Sequence, residues 1–481
     1  MKPSFRSAAR LGAPLLVLSL SACASLPAGW GRGAVAEATA ARGLSTPEGD
    51  AAALSQRLLA QPLGPDEAVS LALLNNPELR ATTAGLGFAA AEVYDAARLS
   101  NPSLSAARLS SNDPAASRAQ LSLGVAVSFT DLLFLPARSR LARAQFETAK
   151  LEVADQTLRL AAQVESAWYR LAGAQGTAAM RAAIARAAAA SATLAERHQA
   201  AGTLSRRALA IEQAAASEAA LAAETAGADA TEARSALNRL LGLSAEGSDW
   251  RIADGLPALP EQEPDRAELL RLAAESRLDL ALARQQADRV AATYGLERRS
   301  QGLGEIEIGL EHERETDGSR LFGPSLSWQL PLFNWGGGRK AQAEAALQIA
   351  EAELRGRELD ASNEVAGGLL ALQSARRRAL RLRDQLIPQR EAVVEQTQRE
   401  LNYMLVGAFE LILAKQQEYA AYADYLAAVT DYWVARSELG RAVGRRLPEP
   451  PASDQRLDAE ALLKPAAVEA EAPAHQHGDA P

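Results

Sequence analysis

The stretch Leu321–Ala345, LFGPSLSWQLPLFNWGGGRKAQAEA, decides the fold class of this chain. In its first half, bulky apolar residues alternate with small or polar ones, so each set lies on its own face of a β-strand. The apolar set is Phe322, Pro324, Leu326, Trp328 and Leu330. After a run of glycines the chain becomes rich in Ala, Glu and Arg, which predicts a long polar helix from Arg339. A two-faced strand that leads into a long helix is therefore expected here.

The same join occurs earlier, in Ala119–Ala144, AQLSLGVAVSFTDLLFLPARSRLARA. Apolar residues alternate with Ser, Gly and Ala from Leu121 to Phe129, and a helix is expected from about Ala137 to Ala201. A weaker strand, Ser103–Ser111, precedes this join, and a strand at Glu305–Glu313 precedes the second one. The chain is thus predicted to contain tandem repeats, each with two strands and long helices.

Further helices complete each repeat. The long helix of the first half is interrupted at Gly202 and that of the second half at Gly407, and the two closing helices end alike, ARSALNRLLG at Ala233–Gly242 and ARSELGRAVG at Ala435–Gly444. Single helical units are expected from Gly64 to Asn101 and from Glu268 to Arg299. Residues 24 to about 60 are rich in Ala, Gly and Pro, which predicts an extended arm. Inside the second long helix, Pro388 and the pair Gly367–Gly368 are each expected to weaken or kink it.

The composition favours helices packed through small side chains over a large globular core, because alanine dominates and aromatic residues make up only 5% of the chain. The net charge of -8, with no separate basic stripe, argues against a nucleic-acid partner. The mature region contains no run of about 18 uncharged apolar residues, so no transmembrane helix is expected.

The N-terminus has the features of a secretory signal: Lys2, Arg6 and Arg10 are followed by an apolar run that ends in Leu-Ser-Ala-Cys23. This ending resembles the bacterial lipobox, in which the cysteine becomes the new N-terminus and carries acyl chains. Cys23 is the only cysteine of the chain, so no disulfide is expected. The alternative is an ordinary signal with a chance cysteine. By resemblance to lipoprotein sorting signals, Ala24 indicates the outer membrane.

Taken in order, these features resemble the TolC-like outer-membrane efflux proteins, and specifically the outer membrane factor lipoproteins. The resemblance covers residues 64–447 and is carried by the two strand-to-helix joins, the paired endings and the segments DEAVSLALLNNPELRA, AGTLSRRAL and LPLFNWGGGRKAQAEAAL. It implies a homotrimer with a 12-stranded membrane β-barrel, continued by a periplasmic α-helical tunnel. It also implies a periplasmic adaptor protein and an inner-membrane pump as partners, and no cofactor.

Elementary physics reaches part of the same answer. Four two-faced strands cannot close a barrel alone, and open edges in lipid would leave backbone groups unpaired at several kcal/mol each. Two copies would give about eight strands with a filled interior, and three would give about twelve with a lumen. The apolar faces would meet lipid and the polar faces water.

The predicted domain organisation follows from these patterns. It comprises a lipoprotein signal peptide (1–22), a lipidated N-terminal arm (23–63), a first channel repeat (64–250), a linker (251–264), a second channel repeat (265–447) and a disordered tail (448–481).

The candidate functional residues form three sets. The resemblance implies that the ends of the helical hairpins dock the adaptor protein; these residues are Gly202, Thr203, Leu204, Ser205, Gly407, Ala408, Phe409 and Glu410. The second of these turns, VGAFE, departs from the Gly-x-x-Ser that is usual in the family. On the polar face of a strand, Glu305, Glu307 and Glu311 are expected to face the lumen. Cys23 is the expected lipidation site.

Several functional alternatives stay open. No GxSxG, HExxH, CxxC or P-loop motif occurs, which argues against an enzyme. A structural periplasmic coiled-coil lipoprotein would account for the helices and Cys23 but not for the strands. For a channel, the three glutamates and the weak candidate metal ligands His475 and His477 favour heavy-metal cations. Export of drugs or organic solutes, or a type I secretion duct, are the alternatives.

Overall fold

The structure, a computed structural model, describes residues 28–110, 118–244, 249–253, 255–300, 304–330, 333, 337–448 and 456–457. The predicted signal peptide, Cys23, His475 and His477 lie outside these residues.

The described part of the chain is mainly helical. Its α-helices are α1 (Arg32–Ala40), α2 (Ala51–Leu59), α3 (Pro65–Asn75), α4 (Pro77–Ala96), α5 (Phe129–Ala200), α6 (Arg206–Leu241), α7 (Arg266–Ser276), α8 (Leu278–Ser300), α9 (Gly337–Arg381), α10 (Ile387–Asn402) and α11 (Ala408–Val443). Its strands are β1 (Ser103–Leu109), β2 (Gln120–Ser128), β3 (Leu256–Pro257), β4 (Glu305–Arg314), β5 (Arg320–Gln329) and β6 (Arg456–Leu457). None of the helices in the described ranges is both long and apolar enough to cross a bilayer.

The chain divides into two compact units. The first contains the main sheet and consists of Glu78–Thr157, Arg277–Ser362 and the described part of Met1–Arg42. The second contains both interhelical turns and consists of Gly43–Pro77, Leu158–Ser276 and the described part of Asn363–Pro481. Each unit draws on both halves of the sequence, so the compact units and the predicted sequence repeats do not coincide.

The four strands predicted from alternation form one antiparallel sheet in the order β1-β2-β4-β5. The two halves of the chain meet within it, because β2 pairs with β4 and places Val125 opposite Leu310. A short pair of strands, β3 and β6, lies elsewhere. In the main sheet, β1 and β5 are edge strands, and each has one side whose backbone groups no described strand pairs.

The join between β2 and α5 is direct. The helix begins at Phe129, earlier than the expected start at about Ala137, because Ser128 ends the strand and also caps the helix. Its Oγ accepts the Asp131 N–H at 3.1 Å. Pro136 is therefore inside the helix, where it removes one backbone donor without ending it. Thr130 Oγ1 accepts the N–H of Ile306 at 2.8 Å and so ties the start of α5 to β4.

Two expected single helices are each split in two. The helix expected over residues 64–101 breaks at Asn76, because Pro77 disfavours the helical conformation of the residue before it. Asn76 then donates from Nδ2 to the backbone oxygen of Leu240 at 2.9 Å, which stabilises the break. The helix expected over Glu268–Arg299 breaks at Arg277, whose guanidinium pairs with Asp279 at 2.6 Å.

The region before residue 60 is helical over much of its length, and the expectation of an extended arm was wrong. It contains a 3-10 turn at Ala28–Gly31, followed by α1 and α2. Alanine has the highest helix propensity, and Asp50 caps α2 by accepting the Ala52 N–H at 3.0 Å. Local propensity thus outweighs the glycines and prolines on which the expectation rested.

The second compact unit is built on large buried side chains. Trp168 of α5 is fully buried, and its Nε1–H donates to the backbone oxygen of Leu63 at 2.8 Å. Gly173 allows α5 and α11 to approach closely, since a Cβ there would lie 2.7 Å from Cγ2 of Thr430. The similar endings of α6 and α11 behave as predicted: Gly242 and Gly444 terminate them in the left-handed conformation, at φ 69° and 78°.

The second long helix is interrupted before Pro388. A π-helical turn at Leu382–Leu386 separates α9 from α10, and Pro388 follows within the first turn of α10. Because proline has no N–H and its ring collides with the carbonyl four residues earlier, a wider turn relieves the conflict. The expected weakening at Pro388 thus takes the form of a π-turn, whereas Gly367 and Gly368 lie within continuous α-helix.

Candidate functional site

The main sheet has one apolar face and one polar face. The apolar face of the two central strands contains Leu123, Val125 and Val127 of β2 and Ile306, Ile308 and Leu310 of β4. The edge strands continue it with Leu104 on β1 and Phe322, Pro324, Leu326 and Trp328 on β5. Most of these side chains are solvent-exposed in the single chain. Such a surface needs a nonpolar environment.

The polar face contains the three glutamates selected from the sequence. The strand register places Glu305, Glu307 and Glu311 on it, opposite Gln329, Ser327 and Gly323 of β5. A fourth carboxylate, Glu313, lies on the same face and accepts a hydrogen bond from Nε2 of Gln120. Glu313 is not among the predicted lumen-facing residues, although its parity in the strand is that of the other three.

Glycine makes room for one of these carboxylates. Gly124 lies directly opposite Glu311 and Ser105 in the register. A Cβ at Gly124 would lie 2.6 Å from Oγ of Ser105 and 3.4 Å from Cγ of Glu311. On the neighbouring strand β5, the residue opposite Glu311 is Gly323, which is also a glycine. Glu311 therefore has no side chain directly opposite it on either neighbouring strand. It is therefore exposed on the polar face.

The first interhelical turn lies where the sequence places it, between α5 and α6; we refer to Gly202–Ser205 as the first tip. Gly202 adopts φ 74°, which explains the glycine. Thr203 donates from Oγ1 to the backbone oxygen of His198 at 2.9 Å. Ser205 caps α6 by accepting the Ala208 N–H at 3.1 Å. The tip is thus a compact polar turn.

The second interhelical turn lies earlier than the sequence analysis placed it. Gly407 is the N-cap of α11, and Ala408, Phe409 and Glu410 belong to the first turn of that helix. The reason is the Glu410 carboxylate, which accepts the Gly407 N–H at 3.0 Å and fixes the helix start there. The turn itself, Tyr403–Val406, is what we call the second tip.

The second tip is apolar and exposed. Tyr403, Met404 and Leu405 are 78%, 93% and 73% exposed. Met404 also adopts φ 60°, a left-handed conformation that costs a residue with a side chain roughly 1–2 kcal/mol. The sequence signal for this feature is four consecutive apolar residues just before a glycine, a pattern that also fits the end of a helix. An exposed apolar run of this kind is typical of a binding surface.

A ring contact joins the two hairpins near their ends. The His198 ring of α5 meets the Phe409 ring of α11 edge to face, with centroids 6.1 Å apart. Phe409 is therefore partly covered and contributes to the packing of the hairpins. The other described histidine, His312, lies on the apolar face of the sheet, opposite Leu123 and Phe322. Within the described residues, no group of three or more His, Cys, Asp or Glu side chains is arranged to bind a metal ion.

An ionic cluster around one buried carboxylate in the second unit was not predicted from the sequence. Arg446, just after α11, bonds through Nε to Glu165 of α5 and through Nη2 to Asp66 of α3. Glu165 is only 8% exposed. Burial raises the pKa of Glu165 above its ordinary value of 4.5, and the positive charge of Arg446 opposes this rise. Three segments that are far apart in the sequence are thus joined at one guanidinium.

Comparisons with known proteins agree with this arrangement. Residues 269–445 match the family model described as outer membrane efflux protein. No curated sequence matches the chain.

Three solved structures share the fold. A membrane protein from Pseudomonas aeruginosa is 22% identical, with a TM-score of 0.66 over 82% of this chain and 94% of that one. The Campylobacter jejuni CmeC outer membrane channel is 15% identical, with a TM-score of 0.68 over 79% and 85% of the two chains. The open state of the Neisseria gonorrhoeae MtrE outer membrane channel is 18% identical, with a TM-score of 0.63 over 79% and 89%. Residues 269–445 thus resemble the outer membrane efflux proteins, and the described part of the chain shares its fold with solved outer-membrane channels.

Proposed function

We propose that this chain is the outer-membrane channel subunit of a tripartite efflux system, which exports small solutes across the periplasm and the outer membrane. The observation that carries the proposal is the four-stranded sheet with an apolar face, a polar face and two open edges. Its longer strands have 9 or 10 residues, the length of a tilted transmembrane β-strand.

The open edges support a trimer. In lipid, β1 and β5 need partner strands, because unpaired backbone groups there cost several kcal/mol each. Three copies of the sheet give about twelve strands, enough to enclose a lumen. The polar faces then line this lumen, and the long helices form the wall of a periplasmic tunnel.

The two tips support docking to a periplasmic adaptor protein that is coupled to an inner-membrane pump. Both tips lie in the second compact unit and connect long helices. The first tip offers polar groups, whereas the second offers the exposed side chains of Tyr403, Met404 and Leu405. Aromatic and methionine side chains are enriched in protein interfaces.

Purified protein in detergent and in planar bilayers tests the channel. We expect trimers that resist dissociation and a steady ion conductance after reconstitution. Monomers without conductance would contradict the proposal and favour the structural coiled-coil lipoprotein instead.

The carboxylates of the polar face predict the substrate class. In a trimer, Glu305, Glu307 and Glu311 each form a ring of three, and rings of carboxylates favour cations. We expect the triple change to glutamine to lower the cation selectivity of the conductance, measured as a reversal potential in a salt gradient. The matched control changes the same positions to aspartate, which retains the charge and is expected to retain selectivity.

If the glutamine variant keeps its selectivity, the sheet gives no support for metal-cation export. Tolerance of a deletion strain to copper, zinc and cadmium, compared with its tolerance to dyes and antibiotics, then decides between metal efflux and the alternative of drug or organic-solute efflux. Lost drug tolerance with unchanged metal tolerance would contradict the metal assignment.

We also propose that Cys23 is acylated and anchors the chain to the outer membrane. The support is the lipobox-like ending of the leader at the only cysteine of the chain. We expect labelled palmitate to enter the wild-type protein and not a Cys23→Ser variant. The acyl chains would then anchor the protein stably, because more than one chain is needed for stable membrane binding. The variant is expected to retain its trimers, because the sheet also contacts lipid. Equal label in both proteins would refute the assignment.

A further inference from the structure

A row of arginines crosses the apolar face of the sheet at one end. The strand register aligns Arg108 of β1 with Leu121 of β2, Leu121 with Arg314 of β4, and Arg314 with Arg320 of β5. All four residues have the parity of the apolar face, so Arg108, Arg314 and Arg320 lie on the same side as Val125 and Leu310. We call these three residues the arginine row.

The row lies where the apolar face ends. Arg314 and Arg320 are the last pair before the β4–β5 turn, and the next row on this face contains Leu123, His312 and Phe322. From Ile306 to Arg314 the strand rises roughly 27 Å at about 3.4 Å per residue. An apolar band of about 25 Å is typical of outer-membrane strands, and tilt shortens the rise further. The arginine row therefore coincides with one boundary of the apolar band.

The end of the sheet that carries the row is the one opposite the helices. The long helix α5 follows β2 at Ser128, and α9 follows β5, so both start from the other end of the strands. If those helices extend into the periplasm, as the proposed function requires, the arginine row lies at the outer leaflet.

The guanidinium groups of the row have no acidic partners in the described part of the chain. Of the acids nearest in sequence, Glu313 lies on the polar face with Gln120, and Asp317 accepts the Ser319 N–H at 2.8 Å. Glu315 follows Arg314 directly and is exposed, and its carboxylate forms no ion pair with a described residue. Nε of Arg314 is buried and has no hydrogen-bond acceptor among the described groups.

The direct pairing of Arg314 with Arg320 needs an anion. Like charges directly opposite each other in a sheet destabilise it, because their Cβ atoms are only about 5 Å apart. An anion between two guanidinium groups reverses this effect, since arginine binds phosphate through paired, charge-assisted hydrogen bonds. At a lipid-facing boundary, the anion with this chemistry is a lipid phosphate.

We propose that the arginine row binds the phosphate groups of anionic lipids in the outer leaflet and so fixes the depth of the sheet in the membrane. This inference rests on the proposed function, because it requires the apolar face to meet lipid. It goes beyond that function by assigning a lipid-binding site to three residues for which the channel itself has no need.

The test uses full-length protein in nanodiscs that contain a phosphorylated glycolipid or its dephosphorylated form. We expect the wild type to retain the phosphorylated lipid through purification, in about tenfold greater amount than the dephosphorylated lipid, as measured by mass spectrometry. This ratio corresponds to a difference in binding free energy of about 1.4 kcal/mol. The variant with Arg108→Gln, Arg314→Gln and Arg320→Gln is expected to lose this preference. A matched control with Arg143→Gln, Arg355→Gln and Arg357→Gln removes the same charge from exposed helical positions and is expected to keep it.

Conductance of the same samples separates this inference from the proposed function. A conducting triple variant that still prefers the phosphorylated lipid overturns the inference and leaves the channel intact. A wild type that conducts but binds both lipids equally overturns it as well. A wild type that neither trimerises nor conducts overturns the proposed function and the inference with it. If the triple variant does not fold, Arg320→Gln on the edge strand replaces it, with a partial loss expected and an unchanged preference counting against the site.

Discussion

Export is expected to be abolished by Met404→Glu combined with Leu405→Glu, while the protein still forms trimers in the outer membrane. Both side chains are largely exposed at the second tip, so the folded chain gains no stability from burying them. If they insert into an apolar pocket of the adaptor protein, each charge must be desolvated there, and the loss of central interface residues costs about 2 kcal/mol or more apiece. Affinity for the adaptor should then fall by about 1,000-fold, since about 1.4 kcal/mol corresponds to a tenfold change.

A second variant separates lost binding from local damage. Met404→Gly removes the side chain and also relieves the left-handed backbone, whose cost for a non-glycine residue is roughly 1–2 kcal/mol. We therefore expect this variant to be at least as resistant to thermal unfolding as the wild type and yet to export less. Export is measured as tolerance to the exported compounds, and adaptor binding as the amount that co-purifies.

Two further variants test the first tip and the ring contact between His198 and Phe409. Leu204→Glu is expected to reduce export through the first tip. Phe409→Glu is expected to act differently, because the Phe409 ring packs on His198 and its loss loosens the hairpin ends. Full export by both the second-tip double variant and Leu204→Glu would contradict the docking assignment.

The sequence was sufficient to predict the elements that are determined by neighbouring residues along the chain. Alternation over Leu121–Phe129 and Phe322–Leu330 predicted strands with one apolar face, and the structure confirms both. The ends of α6 and α11 were predicted because Gly242 and Gly444 each supply the left-handed residue that closes a helix. In these cases one physical effect, either side-chain alternation or backbone conformation, determines the outcome.

Features that depend on competition between local signals were misplaced. At the second turn, the glycine suggested the apex, but the Glu410 carboxylate makes Gly407 a helix cap and moves the apex to Tyr403–Val406. Before residue 60, the glycines and prolines suggested an extended chain, but the alanines between them form α1 and α2. In both regions the sequence contains signals for both conformations, and the relative free energies of the two conformations determine which one forms.

Features that depend on pairing between distant segments could not be predicted at all. The arginine row joins positions 108, 314 and 320 through the register of four strands. The cluster of Asp66, Glu165 and Arg446 likewise joins three remote segments. Neither shows any periodicity or motif in the sequence, because the residues become neighbours only once the chain has folded.

The second unit is expected to lose much of its stability in an Arg446→Met variant. Methionine replaces the volume of the arginine stem but leaves the Glu165 carboxylate buried without its cation. Removing one partner of a buried ion pair costs about 3–5 kcal/mol. Thermal unfolding followed by circular dichroism should show a clearly lower midpoint at neutral pH than for the wild type.

The pH dependence of this variant identifies the cause. Burial already raises the pKa of Glu165 above 4.5 in the folded chain, and without the opposing charge of Arg446 the pKa rises further. A folded state with the higher pKa binds the proton more tightly than the unfolded state, so stability is greatest at low pH and is lost as the pH rises through the folded pKa. We therefore expect the Arg446→Met variant to recover stability as the pH falls from about 7 toward about 5.

A second substitution in the same cluster is the matched control. Glu165→Gln in the Arg446→Met background removes the buried charge but keeps the size of the side chain. This double variant is expected to regain most of the lost stability at neutral pH and to lose the gain on acidification, because no buried carboxylate is left to protonate. If both variants respond to pH alike, Glu165 is not the group responsible. If Arg446→Met unfolds at the wild-type midpoint, the cluster contributes little, and the three segments are held together by the apolar packing around Trp168 instead.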